Sequence, residues 1–176
     1  NILLLKYRPD GRRDENFGND GVVIYGNSNP NDFYASKSIA LDSRGNIYIT
    51  GASIQNNNSD ILLLKYTPGG EFIRNFGVVT YDSGGDDIAT EIKIDSAGYI
   101  YIGGFTILSN NNRDILLLKY RPNGELDNSF NGSGVVTYHN TSEEATGIAI
   151  KEGYLYVGGH IFQNNKWNAL LLRYYR

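Results

Sequence analysis

The sequence predicts an all-β protein made of tandem four-stranded repeats, and three observations carry that prediction. The hexapeptide Ile2-Leu3-Leu4-Leu5-Lys6-Tyr7 returns at residues 61–66 and 115–120, and once more, altered, as Ala169-Leu170-Leu171-Leu172-Arg173-Tyr174. Starts at residues 2, 61, 115 and 169 give spacings of 59, 54 and 54 residues, a period that marks stacked repeats rather than one ordinary domain. Composition agrees, because 21 Gly and 14 Tyr in 176 residues combine many turns with β-favouring aromatics. The chain therefore divides into repeats over 1–60, 61–114 and 115–168, with 169–176 as the first strand of a fourth.

The Leu-rich hexapeptide is expected to be a strand covered on both faces, since successive side chains point to opposite sides and all four leading residues are apolar. A short buried helix is the alternative, but Pro9, Pro68 and Pro122 follow each Tyr by two residues and would stop it. The Lys and Tyr are expected to mark where the strand runs out to solvent. Turns follow at Arg8-Pro9-Asp10-Gly11, Thr67-Pro68-Gly69-Gly70 and Arg121-Pro122-Asn123-Gly124, where Pro presets φ at the second turn position. After a Phe (Phe17, Phe76, Phe130) comes a second strand, Val22–Tyr25, Val78–Tyr81 and Val135–Tyr138.

A third strand is predicted at Ile39–Leu41, Ile92–Ile94 and Ile148–Ile150, where apolar residues flank a free position. A tight turn leads to the fourth, Ile47–Thr50, Ile100–Gly103 and Leu155–Gly158, with aliphatics on one face and Tyr on the other. Asn-rich connections (55–60, 109–114, 163–168) return the chain to the next Leu strand. Four short strands per unit of about 54 residues, apolar on both faces in the middle, are the pattern of β-propeller blades stacked around an axis.

Two stretches, Tyr7-Arg8-Pro9-Asp10-Gly11 … Asp14 … Phe17 … Gly21-Val22-Val23 and Tyr120-Arg121-Pro122-Asn123-Gly124 … Asp127 … Phe130 … Gly134-Val135-Val136, resemble the delta-60 repeat. Ile39 to Gly51 and Asp60 to Tyr66 are similar to the bacterial SBBP-type β-propeller repeat. Together the patterns cover essentially the whole chain. The resemblance implies a scaffold or interaction module of a secreted or cell-surface protein. By analogy it also places the Ile-Ala-Leu strand innermost, then the Tyr-bearing strand, the Leu-rich strand and the Val-Val strand. Thirteen strands result, as two, four, four and three. Ile73 departs from the pattern of Asp14 and Asp127, and Lys151 from that of Asp42 and Asp95. These positions read as turn and strand-end supports, so the departures are expected to cost local stability rather than a function.

Propellers close with 4–8 blades, so three repeats are expected to be an excerpt of a longer array or to assemble with other copies. The lack of Met, even at position 1, also points to a processed or excerpted chain. A start and an end on the same Leu-rich strand point the same way. The expected partner is protein, either copies of itself or the rest of a longer chain.

A net charge of −3 with no basic run argues against nucleic acid and anionic lipid as partners. No apolar run approaches the roughly 20 residues of a membrane-spanning helix. Without Cys there is neither a disulfide nor a thiolate metal site. The two histidines, His139 beside an outer strand end and His160 just after a second strand, read as loop residues. Gly132-Ser133-Gly134 is a turn rather than a nucleophile elbow. No catalytic residues and no cofactor are expected.

The connections that vary between units emerge at one end of the stack, and variable loops on a rigid scaffold usually carry binding. An alternative function is therefore glycan or Ca²⁺ binding on this Asn-rich, acidic face. Asp32, Asp87 and Glu143 are the metal-ligand candidates, which in a closed ring would circle the channel mouth with oxygen ligands suited to Ca²⁺. The plainer expectation is that they satisfy turn N–H groups. Asn57, Asn111, Asn165 and Trp167, the last placed in a loop, are candidates for ligand contact, with Trp167 either capping the stack or stacking on a sugar.

Overall fold

Four antiparallel sheets follow one another along the chain, each made from consecutive strands. The computed structural model describes residues 1–26, 33–55, 58–108 and 112–175. Among these are thirteen strands and no helix. β1 (Ile2–Leu5) pairs with β2 (Val22–Tyr25). β3 (Phe33–Leu41), β4 (Ile47–Gln55), β5 (Asn58–Tyr66) and β6 (Val79–Tyr81) form a sheet in that order. β7 (Asp86–Ile94), β8 (Ile100–Ile107), β9 (Arg113–Tyr120) and β10 (Val135–Tyr138) form the next. β11 (Glu143–Lys151), β12 (Tyr154–Gln163) and β13 (Lys166–Tyr175) form the last. Strand number, grouping and order within each sheet agree with the sequence.

The innermost strands of successive sheets lie against one another, β3 on β7 and β7 on β11. Apolar layers fill the spaces between sheets, and the Leu-rich strand feeds two of them at once. Leu62 and Leu64 pack back with Ile2 and Leu4, while Ile61 and Leu63 pack forward with Leu116 and Leu118. Ile115 and Leu117 then join Ile148 and Val157 in the third layer. The same division explains β4 and β8: Ile47 and Ile49 face one layer and Tyr48 the other. Alternation along a strand that is covered on both faces produces the unbroken apolar run.

The inner strands reach well beyond their apolar segments, so the expected connections shrink. β4, expected to end at Thr50, runs to Gln55, and β12, expected to end at Gly158, runs to Gln163. Polar and glycine residues in these extensions carry no alternating signature, yet their backbones pair in register across the sheet. A β-bulge at the same place in each first strand, at Ser36/Ser38, Ala89/Glu91 and Ala145/Gly147, went unread for the same reason. Opposite it stands Gly51, Gly104 or Gly159, where a Cβ would come within 1.8, 2.0 and 2.2 Å of a carbonyl oxygen on the bulged strand. Close backbone approach requires glycine there.

The end of the Leu-rich strand runs out to solvent at Lys6 and Tyr7, as expected, but differs from expectation in the middle copies. Lys119, Tyr66 and Tyr120 are buried rather than running out to solvent. Lys119 meets Asp127 at 2.8 Å and lies over the rings of Tyr99 and Tyr101. Burial raises the Tyr66 hydroxyl to about 12.

Candidate functional site

The long hairpins β4–β5, β8–β9 and β12–β13 and the entries to the inner strands come together at one end of the stack. Cross-links between sheets show this directly. The Ser59 amide donates to Asp86 Oδ1 at 2.9 Å, and the Arg113 amide to Ser142 Oγ at 3.3 Å. The expectation that the variable connections share one end therefore agrees with the structure.

The residues proposed there as ligands have mostly local roles. Asp87 is fully buried, accepting from the Ser83 amide (2.6 Å) and the Ser83 hydroxyl (2.8 Å). Burial pushes its carboxyl above the usual range, against those hydrogen bonds. Glu143 holds the matching position in the last sheet, also fully buried, and accepts from the amides of Thr141 (2.6 Å) and Asn140 (3.2 Å). The first complete sheet has Tyr34 at this position, by register with Ser53. These carboxylates cap their own loops, in line with the plainer expectation for acids beside turns. Among the described residues no group of three or more His, Asp or Glu could hold a metal ion. Asp32, Asn57 and Asn111 lie outside the described residues. Asn164 and Asn165 form the two-residue turn of β12–β13 with φ of 55° and 60°. Asn tolerates this left-handed conformation, so geometry accounts for Asn165.

Trp167 and His160 differ from their expected places in a loop and after a strand. Both lie within strands, Trp167 paired with Phe162 and His160 with Ala169, so all four side chains share the outer face of the last sheet. Their extended hairpin has no apolar alternation, and that hid the grouping. The Trp167 ring, half exposed, is 5.4 Å from Phe162 and 6.5 Å from His160 in an edge-on arrangement. Glu144 reaches this face from β11 with Oε1 3.8 Å from His160 Nδ1, and pairs with Arg113, whose guanidinium stacks 4.7 Å over Phe105. Trp167, His160, Glu144 and Arg113 line an open hollow of about 600 Å³. Exposed aromatic faces beside a carboxylate, a guanidinium and an imidazole can stack on a flat apolar surface and hydrogen-bond its polar rim. Of these residues the sequence drew attention to Trp167 and named His160 as a loop residue. Arg113 was missed, because only the packing of β9, in one sheet, against β11, in the next, brings it here.

The family model described as "Domain of unknown function (DUF5122) beta-propeller" matches residues 98–130, from the turn before β8 to Phe130. These residues are similar to a β-propeller repeat. The match agrees with the all-β, blade-like sheets on either side of it. No curated protein matches the chain.

Proposed function

We propose that the chain is a non-catalytic scaffold and interaction module, a propeller of the delta-60 and SBBP-type repeat class in a secreted or cell-surface protein, that works by assembling through its end sheets. One observation carries the reading. At the second and third positions of the Leu-rich motif, leucines are buried between sheets in the middle copies yet open at the ends: Leu3 is 55% and Leu171 75% exposed, while Leu62, Leu63, Leu116 and Leu117 are buried. Leu3 and Leu5 point where β5 and β9 receive a preceding sheet, and Leu171 points where they receive a following one. The two faces are therefore complementary to each other, each suited to another blade from a further copy or from more of the same array. Covering one leucine is worth roughly 1.5–3 kcal/mol, and contiguous apolar surface of this kind marks contact sites.

Light scattering on the 176-residue chain tests the proposal. A species larger than 19.6 kDa is expected, and a monodisperse monomer of that mass overturns assembly. A second reading, glycan binding, is supported by the exposed Trp167–Phe162 pair beside Glu144 and Arg113. A glycan-array signal lost in Trp167→Ala supports it, and a blank array removes it.

A further inference from the structure

The lysine that ends each Leu-rich strand meets a different environment in the middle copy. Lys6 Nζ lies 3.0 Å from Asp14 Oδ2, and Lys119 Nζ lies 2.8 Å from Asp127 Oδ2. One backbone arrangement holds both acids, since the amide of Asp14 donates to Lys6 O (2.9 Å) and that of Asp127 to Lys119 O (2.8 Å). In the middle copy the Ile73 amide donates to Lys65 O at 3.0 Å. Ile73 thus stands where the acid belongs, and Lys65 makes no ion pair among the described residues.

A second departure opens the space around that lysine. Tyr99 covers Lys119, with Nζ 4.7 Å from the ring centroid. The matching turn residue in the preceding sheet is Asn46, whose carbonyl accepts from Asp42 as that of Tyr99 accepts from Asp95. Asn46 turns its amide to Asp42 Oδ2 (2.8 Å) instead of covering Lys65. Lys65 rests 4.8 Å from the Tyr48 ring and 5.2 Å from Phe76, beside a cavity of about 330 Å³ between this turn and the next sheet's Ser96–Gly98 turn.

The polar groups of the cavity are mostly donors. Lys65, Arg44, Ser43 and Ser96 are among the residues that line it. Its one carboxylate, Asp42, already accepts from the amides of Arg44 and Asn46 (2.9 Å each) and from the side chains of Asn46 and Tyr48. Two cations thus face one carboxylate whose oxygens are occupied. Burial draws the Lys65 ammonium below its ordinary value, with the charge of Arg44 acting the same way and that of Asp42 offsetting them only in part.

We propose that this cavity binds a small oxyanion, the carboxylate or phosphate group of a small molecule, through Lys65 and Arg44 with Ser43 and Ser96 as further donors. The anion supplies from outside what Asp14 and Asp127 supply from within. A planar guanidinium with an ammonium is the usual donor set for such groups, and the volume is at the small end for ligand sites.

Thermal unfolding of the full chain tests this, with sodium chloride exchanged for sodium phosphate or sodium succinate at constant ionic strength. A saturable rise in Tm with at least one of these ions is expected, because an anion bound only by the folded state stabilises it. Ile73→Asp installs the internal carboxylate and is expected to weaken that response by about tenfold or more. Arg44→Gln, at an exposed turn residue, is expected to weaken it without unfolding the chain. A Tm no higher in either ion than in chloride overturns the proposal, and so does a response unchanged in both variants.

Discussion

Lys119 Nζ lies 2.8 Å from Asp127 Oδ2, with both side chains almost wholly removed from water and Arg121 Nε 3.6 Å from the other carboxylate oxygen. Burial alone would raise the Asp127 carboxyl. Hydrogen bonds from Lys119 and Ser129 outweigh it and hold the group at about 2. The stabilisation is complete above the unfolded carboxylate's range, near pH 4, and is lost as pH falls through about 2. Asp127→Asn leaves a buried ammonium without its partner and is expected to cost about 3 kcal/mol in urea unfolding at pH 7. It should also flatten the acid limb of the stability profile. Asp14→Asn, at the more exposed Lys6 pair, is expected to cost less.

Gly104 faces the bulge at Ala89/Glu91, and a methyl group there would sit 2.0 Å from Ile88 O. Backbone cannot give way as a flexible side chain can. Gly104→Ala is expected to lower stability by about 3 kcal/mol, read as the midpoint of chemical unfolding. Gly69→Ala, whose new Cβ would meet nothing nearer than 3.7 Å, is the control and should be close to neutral.

His139 Nδ1 lies 2.6 Å from Asp114 Oδ1, joining the loop after β10 to the start of β9. The hydrogen bond to Asp114, then the charge of that carboxylate, raises the imidazole above its ordinary value. A raised folded value means the bond stabilises fully below about pH 6.5 and the contribution disappears as pH rises through the folded value. Tm measured from pH 5 to 9 should therefore decline more steeply in the wild type than in His139→Gln. Parallel curves would exclude the linkage.

Leu117 and Leu171 occupy the same place in successive Leu-rich strands, one fully buried and the other 75% exposed. Leu117→Ala is expected to cost about 2–5 kcal/mol through the cavity it leaves. Leu171→Asp removes no internal contact of that kind and should leave the far-ultraviolet circular dichroism unchanged. If the end faces associate, it should shift the chain toward 19.6 kDa in light scattering.

Residue type and period by themselves determined the all-β class and four short strands per repeat, while the order of strands within each sheet, and with it their grouping as two, four, four and three, came from the resemblance to propeller repeats. Type and period suffice for the class because each Leu-rich strand must bury both faces, and a fixed spacing leaves stacked sheets as the way to do it. The capping roles of Asp87 and Glu143 were legible too, as acids beside turns with unpaired amides. Only the tertiary structure decided how far β4, β8 and β12 extend, since backbone pairing of polar residues has no side-chain signature. It also decided that Lys119 is buried while Lys65 borders a cavity, because that depends on residues eight positions along the chain and on the turn of the preceding strand pair. Trp167, His160, Glu144 and Arg113 were brought together in the same way. They come from three strands of one sheet and one strand of its neighbour, and nothing local in the chain marks that they meet.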